Sequence, residues 1–485
     1  MNIIPQEIIN DAKKLIEKYF LFEAKVLFQD FMNQLLLCYS DFKYTSLIIF
    51  FNNKLHSLII KTLEKSIKII DNLFANSTYR KNNFYISKQN VPRTIVDIFG
   101  VLSFNRNYYT SKDKNNCFFF IDKMFGFEKY KTYSQLVRGL LIKEAANTNV
   151  NKTSNNSIIY NFNILDNLKN NNVNIPRQTI YNWIKNLIIP KVNYEPIETS
   201  ETLYVMVDEK WIHEQIKKIK LDENEKNNKH FIMSKCFVVF TGASRKNNRT
   251  KLLNKHIFIT SSKRPWKDFM DEICKIYDFE KIKTINLLSD AGNWILAGAS
   301  ELKLYSHNTI VINTCEFHVI QKIHRITTNT DIRNKLTNLI YKEKNKKEFI
   351  SLMDQIIEEK PKRKEKLEEY KNYIIKHWNS ILNMTTCNIK SSMESHISHC
   401  VAEHFGSRPK GYSKDRIENY LKLEEYKQNK INILDIILKS LSKGKDYIYN
   451  EKEISFGLFD IKKSLLPVCT TKNPISIVMN SIAYS

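Results

Sequence analysis

Three acidic side chains stand at the ends of apolar runs. Asp208 closes LYVMVD (203–208), Asp290 closes KTINLLSD (283–290), and Glu394 lies near the start of SSMESHISHCVAEHF (391–405). Carboxylates are hard oxygen ligands suited to Mg2+ or Mn2+. Two such ions about 3.5–4 Å apart can activate an attacking oxygen and stabilise a leaving one, the arrangement that phosphoryl transfer uses. Taken singly, each acid has a plainer reading. Asp208 serves equally as a cap or turn former, Asp290 as part of an Asp-x-Gly turn with Ala291 and Gly292, and Glu394 as a surface glutamate. Their joint placement, on the right elements in the right order, favours the chemical reading.

A second group is Cys315-Glu316-Phe317-His318, a C-x2-H run at the end of another apolar stretch. With His396 and His399 it can be read as a zinc site of the CxxH…HxxH kind. At about 100° per residue, however, those two histidines fall about 200° and 140° from Glu394 on a helix. Ser398, Val401 and Phe405 share the glutamate's face instead, so His396 and His399 are not expected on the same metal. His318 is expected near the acidic edge, contacting a phosphate or orienting a ligand; its plainer reading is a hydrogen-bonded structural histidine. Trp211 and Trp294 closely follow the two aspartates and are expected to pack rather than to stack on bases.

The elements that must position these groups begin near residue 200. LYVMVD (203–208), KCFVVFT (235–241) and KHIFIT (255–260) are β-branched and aromatic runs, hence three strands. A helix at about 265–277, a strand at 283–290, a helix at 293–302 and a strand at 308–315 follow. This is the element order of an RNase H-like α/β domain with a mixed sheet, in which Asp208 and Asp290 end adjacent strands. Residues 317–385 read as a charged, all-helical insertion that keeps Leu352, Ile356 and Ile357 at helical spacing. The catalytic core is therefore expected over 200–316 and 386–415, with a C-terminal helical region and tail over 416–485.

Ahead of it, residues 1–90 read as long helices and 91–130 as a small β segment, with two short strands turning at Gly100. Asn-rich stretches at 147–156 and 169–174 read as loops. Over 131–195 the texture is short helices, one with Ser134 as its candidate cap and one over 175–188 with Pro176 in its first turn. Arg177, Gln178, Thr179, Asn182 and Lys185 face outward on the latter, which suits a helix-turn-helix-like module reading a major groove. An ordinary core helix anchored by Ile180, Trp183 and Ile184 is an equal reading. Arg408, Lys410 and Lys414, with Tyr412 between them, form a basic segment beyond Glu394. It could meet substrate phosphates, with the ring available for base stacking.

Composition bounds the rest. The 485 residues carry a formal net charge of +24, which favours a polyanionic partner. Abundant Lys, Asn and Ile throughout, as in an AT-rich genome, is the competing explanation. The most apolar patch, SLIIFF (46–51), falls well short of the roughly 20 residues that span a bilayer. The eight cysteines contain no CxxC pair and read as reduced thiols. A soluble protein of the bacterial cytoplasm, on the nucleoid when bound, is expected.

Around the three acids the local sequences are also recognisable. VMVDEKWIH (205–213), LLSDAGNWI (287–295) and MESHISHCVAEHFGSRPKGYS (393–413) resemble the three acidic motifs of ISLre-type insertion-sequence transposases, a Mutator-related group. IVDIFGVLSFNRNYY (95–109) resembles that family's N-terminal segment, and Cys315–His318 its C/D-x2-H signature. The resemblance runs from about residue 90 to 415. It implies a DDE-type transposase in which Asp208, Asp290 and Glu394 ligate two Mg2+ or Mn2+ ions, acting on double-stranded DNA as a homo-oligomer. Ser289 and Ala291 replace the family's usual glycines, and His404 stands where an arginine is usual. A catalytically inactive DNA-binding descendant, an RNase H-like nuclease that joins no strands, and a zinc-stabilised structural protein are the rival readings.

Overall fold

A computed structural model describes residues 6–37, 44–148, 153, 175–215, 230–246, 249–305, 309–387, 389–405 and 412–442. Two long helices, α1 (Gln6–Leu37) and α2 (Tyr44–Asn76), open the chain. A short α3 (Thr78–Asn83) follows, capped by Ser77 Oγ, which accepts from the Arg80 amide at 3.1 Å. Strands β1 (Phe84–Asp97), β2 (Gly100–Ser111) and β3 (Cys117–Phe119) form an antiparallel sheet in that order, and α4 (Phe120–Phe125) closes on it. The turn does fall at Gly100, whose φ of +139° suits only glycine. The strands are longer than expected, and β1 begins at Phe84. Pro92 sits inside β1 because β1 is an edge strand, where a missing N–H costs no ladder bond. Phe74 of α2 stacks on Phe120 at 3.8 Å between centroids, and Leu102 and Tyr109 join them, so helices and hairpin share one core.

Helix α5 (Gln135–Asn147) starts at Ser134, whose hydroxyl accepts from the Val137 amide at 3.2 Å. Helix α6 (Arg177–Lys185) is shorter than the expected 175–188, and Pro176 is its N-cap rather than a first-turn residue. The central sheet comes next. Its first strand is β4 (Thr202–Glu214), followed by β5 (His230–Phe240), a separate two-stranded ribbon of β6 (Gly242–Lys246) and β7 (Arg249–Leu253), and β8 (His256–Thr260). Helix α7 (Pro265–Ile273), β9 (Thr284–Ser289), α8 (Asn293–Tyr305) and β10 (Thr309–Thr314) complete it.

The sheet order is β10-β9-β4-β5-β8; β4, β9 and β10 run parallel, and β5 is antiparallel to both β4 and β8. This is a mixed α/β architecture. In β4, Leu203, Val205 and Val207 face one side and Met206 the other, all no more than 1% exposed. A strand apolar on both faces has to be covered on both. Trp266 and Phe269 of α7 and Ile295 of α8 cover the first face. The second packs on α5, α6, α16 (Lys414–Gln428) and α17 (Ile433–Leu441). The helices of 131–195 thus share the core of the sheet and of the C-terminal helices.

Five helices intervene after β10: α9 (Glu316–Ile326), α10 (Thr330–Tyr341), α11 (Lys346–Glu359), α12 (Lys364–Lys376) and α13 (Trp378–Thr386). They enclose a core of their own around Leu336, Phe349, Ile374 and Trp378, as the charged but periodic sequence of 317–385 requires. The chain returns to the sheet through α14 (Met393–Ile397), a π turn (Ser398–Ala402) and α15 (Glu403–Phe405). Residues up to 441 pack as one unit. Among the described residues no helix is long and apolar enough to cross a membrane.

Candidate active site

Asp208 is not strand-terminal as expected: β4 runs six residues further, to Glu214, because DEKWIHE continues to pair with β5. The parallel ladder with β9, however, stops at Met206↔Leu288. Asp208 therefore stands just past the carboxyl end of β9. Asp290 directly follows β9, and Cys315 directly follows β10, its amide donating to the Ser289 carbonyl at 2.8 Å. Three neighbouring strands thus deliver three side chains to one edge, the place where open α/β sheets hold ligands. His318 follows in the first turn of α9. Glu394 is on α14, whose start is held to β4 by Ser392 Oγ donating to Met206 Sδ at 3.7 Å.

All five converge. Asp208, Asp290, Cys315, His318 and Glu394 line a single cavity of about 230 Å3, together with Val207, Ser289, Phe317, Met393 and three serines, Ser391, Ser392 and Ser395. Burial pushes the Asp208 carboxyl up to about 6; the Glu209 amide, donating to its Oδ1 at 2.7 Å, opposes the rise, while the charges of Asp290 and Glu394 add to it. For Cys315, burial acts upward, but hydrogen bonds from His318 and two backbone amides outweigh it and the thiol is lowered. His318 is raised, first by its bond to Cys315 and, against desolvation, by the charges of Cys315, Asp290 and Asp208. Its Nδ1 is buried without a hydrogen-bond partner. Among the described residues no three His, Cys, Asp or Glu side chains stand close enough to hold a metal ion in common.

The turn carrying Asp290 is internally braced. The Gly292 amide donates to Asp290 Oδ1 at 3.0 Å and the Ala291 amide to Ser289 Oγ at 3.1 Å. Ala291 has φ +65°, the left-handed region, which explains why glycine is the easier residue there. From the helical insertion, Tyr373 Oη donates to the Asp290 carbonyl at 2.6 Å. Thr314 and Ser380 share a hydroxyl bond of 2.7 Å, and Asn383 Nδ2 donates to the Ile312 carbonyl at 3.1 Å. The insertion therefore grips the ends of β9 and β10. Tyr373, 83 residues from Asp290, carries no sequence signal of this role.

The π turn corrects the expected helix faces. Widening the helix by a residue breaks the 100° phase after Ile397. Val401 and Phe405 consequently lie in the core rather than on the face of the exposed Glu394, and only Ser398 is exposed with it. His396 is hydrogen-bonded to Cys400, whose thiol is lowered chiefly by its bond with Cys236. His399 is exposed. The four candidate zinc ligands are thus divided: Cys315 and His318 line the carboxylate cavity, while His396 and His399 belong elsewhere. His404 lies against Glu424, Nε2 to Oε2 2.9 Å, both side chains buried.

The other expected contact residues are dispersed. On α6, Arg177, Gln178, Asn182 and Lys185 are exposed and Thr179 is half-buried, while Ile180 and Ile184 are fully buried. Gln178 donates to Asn182 at 3.1 Å, and Lys185 reaches Asp415 at 3.8 Å. Arg408 and Lys410 lie outside the described residues, as do the Asn-rich 169–174, most of 147–156 and the tail beyond 442; Lys414 is exposed near Glu418. Tyr412 is not free to stack on a base. Only 8% exposed, it pairs its backbone with His213 and Gln215 at the end of β4, and its ring lies under the Arg416 guanidinium at 4.4 Å. Trp294 packs as expected, its indole donating to Glu209. Trp211 does not: it is 54% exposed, on the part of β4 that extends beyond β9.

Comparison with known proteins adds kinship. Two UPF0236 proteins of Caldanaerobacter subterraneus subsp. tengcongensis are each 23% identical to this chain over 415 residues, covering 83% of it and 82% and 78% of their own lengths. A third from the same organism, whose name joins eleven locus labels, is 23% identical over 418 residues, covering 83% and 82%. The sequence pattern of UPF0236, an uncharacterised protein family, matches residues 40–436, and the chain belongs to that family.

Proposed function

We propose that the chain is a DDE-type transposase with an RNase H-like catalytic core. It would cleave DNA strands at the ends of a mobile element and join them to target DNA. The observation that carries this reading is the convergence of Asp208, Asp290 and Glu394 on one cavity at the carboxyl ends of the central strands. The strand order supports it: three meandering strands and then two helix-linked parallel strands, with the first strand in the middle. The eleven locus labels joined in one relative's name are what copies of one gene at many sites produce, and mobile elements multiply in that way.

The donor set suits a hard divalent cation. Asp208, Asp290 and Glu394 offer only oxygens, and a cation would offset both the burial that chiefly raises Asp208 and the smaller repulsion from Asp290 and Glu394. As they lie the three do not stand close enough to share an ion; Asp208 and Asp290 are fixed by strand and turn, so binding would have to draw in the exposed Glu394. Two Mg2+ or Mn2+ ions held by these residues would supply charge neutralisation and activation of water or a 3′-hydroxyl toward a phosphodiester. His318, raised toward its charged form, supplies a cation for a phosphate oxygen at the cavity wall. Cys315 keeps it oriented. Since two element ends have to be handled together, a homo-oligomer on DNA follows.

The test is product analysis. Purified protein is incubated with Mn2+, DNA bearing the repeats that flank its gene, and a supercoiled target. Joined strands are expected. Cleavage without joining would leave a nuclease, and binding without cleavage an inactive DNA-binding descendant.

A further inference from the structure

The carboxylate cavity shares a wall with a second space. Ser391, Ser392 and Ser395 line both, and the second is a much larger groove of about 2090 Å3. That volume exceeds the few hundred to 1,000 Å3 typical of small-molecule sites. A polymer is the better match.

One wall of the groove is the β6–β7 ribbon. Over Gly242–Leu253 the sequence is GASRKNNRTKLL, with Arg245, Lys246, Arg249 and Lys251 and no acid. The ribbon lies outside the central sheet, a two-stranded element inserted between β5 and β8. Arg245, Lys251 and Lys430 are exposed and line the groove, as does the half-buried Lys255. Of the two acids lining it, Glu195 and Glu201, the latter is engaged by Lys283 at 2.6 Å. The remaining lining mixes serine, threonine and amide side chains with apolar ones, Ile197, Leu252, Leu253, Ile389 and Ile431 among them. A two-stranded ribbon is one of the two protein elements that a B-DNA major groove admits.

We infer that the β6–β7 ribbon and the groove beneath it form a duplex DNA-binding surface that leads the phosphodiester backbone to the carboxylate cavity. This inference rests on the reading of that cavity as a DNA-processing site. Cations at Arg245 and Lys251 displace counterions from phosphates, and the serines shared by groove and cavity mark where the backbone passes between them.

Fluorescence anisotropy with a labelled DNA duplex, in EDTA and over a range of salt, tests it on the full chain. For Arg245→Ala/Lys251→Ala the slope of log affinity against log salt is expected to fall by about two, with Kd rising roughly tenfold near physiological salt. The control Lys362→Ala/Lys366→Ala, which removes the same charge from the helical insertion, is expected to bind as wild type. If both double variants weaken alike, only global charge is at work and the ribbon assignment is overturned. It is also overturned if the ribbon variant binds like wild type, or if ribbon-dependent binding prefers a single strand or RNA. If the wild-type chain binds no DNA at all, the proposed function itself fails with it.

Discussion

Asp208 is the residue on which opposing forces meet. Its carboxyl titrates near 6 in the fold against about 3.9 for an unperturbed aspartate. Below both values it is protonated in either state. Between them the unfolded chain loses its proton first, so stability falls as pH rises from about 4 to 6 and stays lower above. Asp208→Asn removes the charge while keeping an acceptor for the Glu209 amide. In chelator, urea unfolding should show a gain of about 1–3 kcal/mol at pH 8 that vanishes near pH 4. A loss of stability, or a gain independent of pH, would contradict the electrostatic account. The same residue shows what sequence could supply. The acids and their partners Cys315 and His318 were legible, because each ends an apolar run or opens a helix. That Asp208 lies mid-strand was not, since the end of the β4–β9 ladder depends on where β9 stops and not on β4 itself.

At the scale of elements, apolar runs made β4, β5, β8, β9 and β10 legible, whereas three other features had no such signal. The β6–β7 ribbon has little apolar alternation. The π turn at Ser398–Ala402 breaks the regular helical phase from which faces are read. The polar start of β1 hides a strand that lies at a sheet edge. Packing between elements also turns on single atoms. Gly298 of α8 lies against Trp266 of α7, and a β-carbon there would come within 1.7 Å of the indole. The ring is held in place: Nε1 donates to the Trp294 carbonyl at 3.0 Å, and the indole packs perpendicular to the Phe237 ring with centroids 4.9 Å apart. Gly298→Ala should therefore force α7 and α8 apart, at about 3 kcal/mol or more, measured by denaturant unfolding. In a Trp266→Leu background, which is itself destabilised, the added loss should be clearly smaller. An equal loss in both backgrounds would mean that the helix contact is not the cause.

For the whole molecule, the separate cores divide the work. The N-terminal helices and hairpin hold one, the two faces of the central sheet hold two, and the insertion holds a fourth that reaches back through Tyr373 to the Asp290 turn. A net charge of +24 was legible from composition, where it favours a polyanionic partner as an expectation. Sequence order alone could not show that helices α5 and α6 share a core with α16 and α17. Nor could it show that a basic groove adjoins the acidic cavity, because these surfaces are built from segments more than a hundred residues apart. The central claim is that Asp208, Asp290 and Glu394 act as one metal-dependent centre, and strand cleavage by single variants tests it most directly. With Mn2+ and DNA carrying the flanking repeats, wild type should cleave, and Asp208→Asn, Asp290→Asn and Glu394→Gln should each lose at least about a hundredfold in rate. Their affinity for the same DNA in chelator should stay close to wild type. Cleavage at the wild-type rate by the Asp208 or the Asp290 variant would contradict the account.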